Sequence, residues 1–159
     1  MDRFVATYLM NLDAKGRVSI PAPFRAVLAR EGGDPLYCQP SPGRPALDAG
    51  GKALIQEIEA LIERYPPYSE EREEIAAALY GRSETLNIDG EGRIILTETL
   101  KAHAHIKDAV AFVGLGHKFQ IWEPKRFRAH LVEATRKMRA LRASAGSRKR
   151  GRERTGASG

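Results

Sequence analysis

The sequence predicts an α+β fold with a β-rich core, built from two repeated strand–turn–strand–helix units and flanked by helices. Two observations carry this prediction. Residues 11–20 align without gaps on residues 87–96, at an offset of 76 positions. Around each copy, apolar and polar residues alternate with the period of a half-buried strand, and a short segment typical of a helix follows. Agreement of this extent indicates two copies of one supersecondary unit.

The centre of each copy is the pattern Asn-x-Asp-x-x-Gly-Arg. The aspartate can accept hydrogen bonds from backbone N–H groups, and the glycine can adopt the positive φ of a bulged turn. Gly16 and Gly92 are therefore the predicted turn-forming residues. Each turn is expected to join two strands of a β-hairpin, and a short helix is expected to follow the second strand.

Prolines and composition divide the rest of the chain. Pro66 and Pro67 separate two predicted helices, and Pro124 begins another. The segment after residue 143 is rich in Ser, Gly, Arg and Lys and has no apolar periodicity, which predicts disorder. The predicted organisation is a first repeat at 5–52, a helical connector at 53–80, a second repeat at 81–124, a C-terminal helix at 125–142 and a disordered basic tail at 143–159.

The net charge of +6 conceals an asymmetry along the chain. Residues 136–159 hold nine lysines and arginines against one glutamate, which leaves 17 basic and 19 acidic residues in 1–135. A basic tail attracts DNA, RNA and anionic membrane surfaces, and a merely solubilising tail has the same composition. The segment 57–74 holds seven glutamates and two arginines, so it is expected to face solvent rather than DNA.

Several classes of protein find no support in the sequence. No apolar run approaches the roughly 20 residues that cross a bilayer, so no membrane partner is predicted. Cys38 is the single cysteine, and the cytoplasm is the expected compartment. The glycines at 50–51 and 114–116 lack the accompanying residues of nucleotide-binding motifs. His103 and His105 are expected to point to different faces of a helix. We therefore predict no enzyme activity, catalytic residue, metal, cofactor or small-molecule substrate.

The sequence resembles the MraZ family, whose members carry two tandem SpoVT/AbrB-type units. The resemblance extends over about residues 2–142. Four features agree: Leu-Asp-Ala-Lys-Gly-Arg-Val-Ser-Ile-Pro at 12–21, Leu-Tyr-Gly-Arg at 79–82, the second Asp-x-x-x-Arg at 89–93 and Lys-Phe-Gln-Ile-Trp at 118–122. One Asp-x-x-x-Arg would be a weak signal, whereas two at this spacing and in these surroundings are a strong one.

The resemblance implies a pseudo-dimeric AbrB/MraZ-like core and a homo-oligomeric ring. It implies a cytoplasmic, nucleoid-associated transcriptional regulator, mainly a repressor of the division and cell-wall gene cluster that contains its own gene. The implied partner is double-stranded DNA with short G-rich direct repeats. In the family the Asp-x-x-x-Arg residues bind DNA, which carries this role onto Arg17 and Arg93, with Asp13 and Asp89 as their partners.

The chemistry of the residues fits this role independently. The guanidinium of Arg17 can donate two hydrogen bonds to O6 and N7 of a guanine, and Lys15 can neutralise a phosphate and fix the register. Asp13 would hold Arg17 in one orientation. In the second copy Glu91 replaces the lysine and would repel phosphate, so the first half is expected to carry more of the DNA contact.

Other interpretations remain open at the level of sequence. Each Asp/Arg pair also fits a simple salt bridge within a hairpin, and the basic tail fits a non-specific nucleic-acid-binding protein. An enzyme or a protein-interaction module is a further alternative. Few aromatic residues lie near the basic ones, which argues against single-strand binding by base stacking. Arg3, Arg25 and Lys101 are expected to be solvated surface residues.

Overall fold

The computed structural model describes the chain from residue 3 to residue 157, with side chains described for residues 3–146. The first repeat contributes β1 (Thr7–Asn11), β2 (Arg17–Ser19), α1 (Ala22–Arg30), β3 (Leu36–Pro40), β4 (Ala46–Gly50) and α2 (Lys52–Ile62). The helix α3 (Glu70–Leu79) follows. The second repeat contributes β5 (Glu84–Leu86), β6 (Arg93–Ile95), α4 (Glu98–Ala104), β7 (Ala109–Gly114), β8 (Phe119–Trp122) and α5 (Pro124–Ala157). The same order of elements in both repeats confirms the predicted α+β class.

The two repeats interlock in the main sheet. Its six antiparallel strands lie in the order β1-β7-β8-β4-β3-β5. The strand β1 of the first repeat pairs with β7 of the second, and β5 of the second pairs with β3 of the first. The strands β4 and β8 pair with each other at the centre. Exchanging the repeats leaves this order unchanged, so the core has pseudo-twofold symmetry.

The strands β2 and β6 form a separate two-stranded ribbon. Arg17 lies opposite Ile95, Val18 opposite Ile94 and Ser19 opposite Arg93. The predicted pairing of two hairpins is therefore wrong, because the strands before and after each turn belong to different sheets. The physical reason is burial. A three-residue strand has one inward side chain, and pairing the equivalent strands of both repeats buries Val18 and Ile94 together, each 1% exposed.

A large hydrophobic core joins the main sheet, the ribbon, α1 and α4. Phe24 of α1 is at its centre, with its ring centroid 5.3 Å from that of Phe4 and 5.0 Å from that of Phe119. Phe112 of β7 lies 5.8 Å from Phe119. Clusters of buried aromatic rings contribute a large share of core burial. They fix α1 against the sheet, and α1 directly follows the ribbon.

A second, smaller cluster covers the other face of β3. Leu54, Ile58 and Ile62 recur every four residues and form the buried stripe of α2. They pack with Tyr37 of β3 and Leu79 of α3. The acidic residues predicted to face solvent include the exposed glutamates in the first turn of α3.

The helix α5 is a compact unit of its own. It is longer than the predicted C-terminal helix at 125–142, since it continues to Ala157. The structure thus differs from the predicted disorder over residues 143–157, while residues 158–159 lie outside the described part. The segment contains no proline, and eight of its fifteen residues are alanine, arginine or lysine, which are strong helix formers. No helix in the described part of the chain is long and apolar enough to cross a membrane.

The ribbon offers a direct test of its inward and outward faces. We expect Ile94→Ala to lower the free energy of unfolding by about 2–5 kcal/mol, because it leaves a cavity in the core. The adjacent Ile95 is 55% exposed, so Ile95→Ala should change it by about 0.5 kcal/mol or less. Urea denaturation followed by circular dichroism measures both. Equal losses in the two variants would contradict the assigned faces.

Candidate nucleic-acid interface

Each Asp-x-x-x-Arg turn is closed by its own aspartate. In the first turn, Asp13 Oδ1 accepts hydrogen bonds from the backbone N–H groups of Lys15 and Arg17, both at 2.9 Å. Its Oδ2 accepts from Arg17 Nε at 2.6 Å. In the second turn, Asp89 accepts from the equivalent three nitrogens, each at 2.9 Å. Two turns 76 residues apart in the sequence therefore have the same hydrogen bonds.

The backbone of both turns needs glycine at the same position. Gly16 and Gly92 each have φ of +77°, and each donates a hydrogen bond of 3.0 Å to the carbonyl of its turn's aspartate. Residues with a Cβ are strained in this region. The glycine places the following arginine at the start of the ribbon, where the aspartate carboxylate can reach it.

The aspartates remain ionised at neutral pH in this arrangement. The backbone hydrogen bond from Arg17, together with that residue's side-chain hydrogen bond, lowers the pKa of Asp13 below its ordinary value. The equivalent bonds from Arg93 lower the pKa of Asp89. The hydrogen bond to Asp89 also raises the pKa of Arg93. Both carboxylates thus stay charged, and each orients one guanidinium.

The two arginines lie on one face of the ribbon. Side chains alternate across a strand, and directly opposite residues share a face. Since Val18 and Ile94 point inward, Arg17, Ser19, Arg93 and Ile95 point outward. The negative charge of Asp13, on the other turn, also raises the pKa of Arg93.

Backbone bonds tie each turn to the strand of the other repeat. The carbonyl of Gly16 accepts from Leu96 N at 3.1 Å, and that of Gly92 accepts from Ile20 N at 2.9 Å. These bonds are equivalent under exchange of the repeats. They place the turns at opposite ends of the ribbon and limit the independent movement of each turn.

The charges of the two turns are unequal. Arg17 is bound to Asp13 through Nε, and Lys15 beside it is exposed. Arg93 is bound to Asp89 through Nε, and its Nη1 also lies 3.5 Å from Glu91 Oε2. The first turn thus carries a net positive charge, whereas the second carries two carboxylates against one guanidinium.

Two basic residues of the helices contact the opposite turns. Arg25 Nη1 donates a hydrogen bond of 3.0 Å to the carbonyl of Glu91, a contact between the repeats that the sequence did not predict. Lys101, its equivalent, has its Nζ 3.8 Å from the position that a Cβ on Gly16 would occupy, and it pairs with Glu98 at 2.8 Å. Arg25 and Lys101 are 76 residues apart, which is the offset of the repeat. The repeat was therefore the feature of the sequence that related these two residues.

A buried polar cluster elsewhere is internally satisfied. Asp48 of β4 is 2% exposed, and it accepts from Gln120 Nε2 at 2.9 Å and from Lys118 Nζ at 3.3 Å. Gln120 Oε1 in turn accepts from Trp122 Nε1 at 2.9 Å. Buried polar groups need such partners. The cluster is therefore explained by a structural role in the pairing of β4 with β8. Within the described residues, no group of three or more His, Cys, Asp and Glu side chains is arranged to hold a metal ion.

Alanine substitution distinguishes the two glycines of the second turn. A Cβ on Gly92 would lie 2.0 Å from Arg25 Nη1 and would occupy a positive φ, whereas a Cβ on Gly90 meets nothing within 4 Å. We expect Gly92→Ala to destabilise the fold by about 1–2 kcal/mol through backbone strain alone. Gly90→Ala should leave stability unchanged or slightly raised. Thermal unfolding measures both, and an equal drop in Tm for the two variants would contradict the strained-turn account.

The amino-acid sequence is similar to those of several proteins of known family. A protein of Xanthobacter autotrophicus named Transcriptional regulator MraZ is 72% identical over 148 residues, which cover 93% of this chain and 94% of that protein. One of the same name from Azorhizobium caulinodans is 71% identical over 147 residues, 92% and 94% of the two chains. One from Rickettsia bellii is 41% identical over 135 residues, 84% and 90%.

A family model described as "MraZ protein, putative antitoxin-like" matches residues 79–147. The resemblance expected from the repeated motif is thereby confirmed, and with it the expectation of a regulator rather than an enzyme, because the relatives are named transcriptional regulators. The chain belongs to the MraZ family of transcriptional regulators.

Proposed function

We propose that this protein is a sequence-specific repressor that binds double-stranded DNA through the outward face of the β2–β6 ribbon. Its targets are short G-rich direct repeats upstream of the division and cell-wall gene cluster that contains its own gene, and it acts in the cytoplasm on the nucleoid. The target cluster, the direct repeats and the location follow from the family resemblance. The contact itself is supported by the geometry of the ribbon.

The observation that carries the proposal is a short two-stranded ribbon with two oriented arginines on its outward face. The major groove of B-DNA is about 12 Å wide and admits a two-stranded β-ribbon. Paired strands lie only about 4.8 Å apart, so a ribbon of this size fits within the groove with its outward face toward the base edges. The turns at its two ends then approach the phosphates that border the groove.

Arg17 is the residue best suited to contact a base. Asp13 holds its Nε, so the pair of terminal nitrogens remains for O6 and N7 of a guanine. Because the turn already fixes the side chain, binding loses less conformational entropy than it would for an exposed arginine. Lys15, exposed on the same turn, supplies a phosphate contact that holds the register without specifying sequence.

The second turn contributes less in this proposal. Glu91 competes with DNA for the guanidinium of Arg93 and repels phosphate. Arg25 partly offsets this charge, because its guanidinium lies against the Glu91 carbonyl. The second half therefore makes a weaker contact than the first half.

A titration at about 0.15 M salt tests the proposal, since salt weakens non-specific phosphate contacts. The duplex carries the G-rich direct repeats, and a scrambled duplex is the control. We expect Arg17→Ala to lose about 5- to 150-fold in affinity and most of its sequence preference, as for loss of a bidentate base contact. Arg93→Ala should lose less. Arg3→Ala, which removes an exposed arginine that precedes β1, at the end of that strand remote from the first turn, should bind as wild type does.

The alternative, non-specific binding by the basic end of α5, has a different signature. A chain truncated after residue 142 lacks five of the nine basic residues found in 136–159. Under the proposed function this chain keeps its preference for the repeats and shows a shallower salt dependence on both duplexes. If truncation alone abolishes binding while Arg17→Ala leaves it intact, the alternative is correct.

A ring requires a surface that contacts a different surface of the next copy. One face of α5 carries Leu131, Ala134, Met138 and Leu141 at spacings of three and four residues, and its three large side chains are about half exposed or more. This stripe is surrounded by arginines and lysines, so two copies of α5 repel each other. The helices α2 and α3 and the segment between them carry seven glutamates between residues 57 and 74, and the second half of α3 has exposed alanines. We propose that α5 of one subunit contacts α2 and α3 of the next.

Substitution within and beside the stripe tests this contact. Leu141→Glu puts a charge into the stripe, whereas Val132→Glu puts the same charge on an equally exposed residue on a different face of the helix. We expect wild type and Val132→Glu to elute as the same assembly, and Leu141→Glu to shift toward the 17.6 kDa protomer. Light scattering coupled to size exclusion measures the masses. A protomer mass for wild type, or the same shift in both variants, would rule out this interface.

A further inference from the structure

An apolar side chain stands between the two arginines of the ribbon. Ile95 is 55% exposed, lies opposite Arg17 and follows Arg93 by two residues on the same outward face. It does not belong to the hydrophobic core, which its neighbour Ile94 fills. In the first repeat the equivalent position is Ser19. The backbones of the two strands are therefore equivalent, but the chemistry beside each arginine differs.

We propose that Ile95 contacts the C5-methyl group of a thymine next to the guanine that Arg17 contacts, and so determines part of the sequence specificity. This inference rests on the proposed function. The thymine methyl is the apolar group that base edges present in the major groove. Directly opposite residues of antiparallel strands have Cβ atoms about 4.5–5.5 Å apart, and successive base pairs are about 3.4 Å apart. Arg17 and Ile95 thus reach neighbouring base pairs.

Exposure alone does not carry this proposal, because single exposed apolar residues are common and strands favour β-branched side chains. The position of Ile95 carries it. The groups on either side of Ile95 are guanidiniums, whose binding partners on DNA are polar. An isoleucine in that row gains from binding only where the DNA offers an apolar group. Ser19, beside Arg93, offers a hydroxyl that serves polar groups instead.

Replacing single thymines by deoxyuridine tests the contact, since this change removes only the methyl group. Each thymine of the repeat duplex is replaced in turn, and the dissociation constants of wild type and of Ile95→Ser are measured. For wild type we expect one thymine per repeat whose replacement weakens binding about three- to fivefold, the effect of one buried methyl group. Ile95→Ser should bind the thymine and uracil duplexes alike. Thermal unfolding of Ile95→Ser, expected to match wild type, confirms that the variant is folded.

Two outcomes overturn the inference: wild type that binds every uracil duplex as well as the parent duplex, or Ile95→Ser that keeps the sensitivity of wild type. Arg17→Ala, titrated on the same duplexes, separates this failure from failure of the proposed function. If Arg17→Ala loses the preference for the repeats while uracil has no effect, only the role of Ile95 is wrong. If Arg17→Ala keeps that preference, the ribbon is not the DNA-binding element.

Discussion

The pairing of β2 with β6 is the constraint on which the rest of the molecule depends. Each strand has one inward side chain, Val18 or Ile94, and neither strand pairs with the strand that precedes it in the chain. The ribbon forms only when both repeats are present and interlocked. The same pairing puts the two arginines on one outward face and ties each turn to the opposite repeat through a backbone hydrogen bond. The burial of Val18 and Ile94 therefore both joins the ribbon to the hydrophobic core and places the candidate site.

The two turns have the same backbone geometry but different side-chain charges. The hydrogen bonds within the two turns match in partners and nearly in length. The side chains that they carry do not match, because the repeat equivalent of Lys15 is Glu91 and that of Ser19 is Ile95. The duplicated scaffold positions both arginines with equal precision, while the substitutions make the two ends of the ribbon chemically distinct. Under the proposed function, a ribbon with distinct ends binds the DNA groove in one preferred orientation.

Local features of the fold could be predicted from the sequence, because they are set by neighbouring residues. The aspartate and glycine of each turn, the prolines around the helices and the alternation of the strands all act within a few positions. The partner of β2 could not be predicted in this way. Val18 and Ile20 alternate equally well in a local hairpin and in an exchanged ribbon, and the choice depends on burial against the other repeat. The contact of Arg25 with the second turn was hidden for the same reason, since it crosses from one repeat to the other.

Under the proposed function, the asymmetry of the ribbon determines how its binding sites on DNA are arranged. A symmetric ribbon with the same residues at both ends would match a palindromic site and would bind it equally well in either orientation. Under the proposed function, the differences between positions 15 and 91, and between positions 19 and 95, favour one orientation on the DNA. If neighbouring subunits contact each other through two different surfaces, basic on one side and acidic on the other, they repeat by rotation without inversion. The ribbons of neighbouring subunits then have the same orientation relative to the path of the DNA. Under the proposed function, direct repeats follow from an oriented ribbon within an assembly of oriented subunits, and linking several weak contacts raises the affinity of the whole.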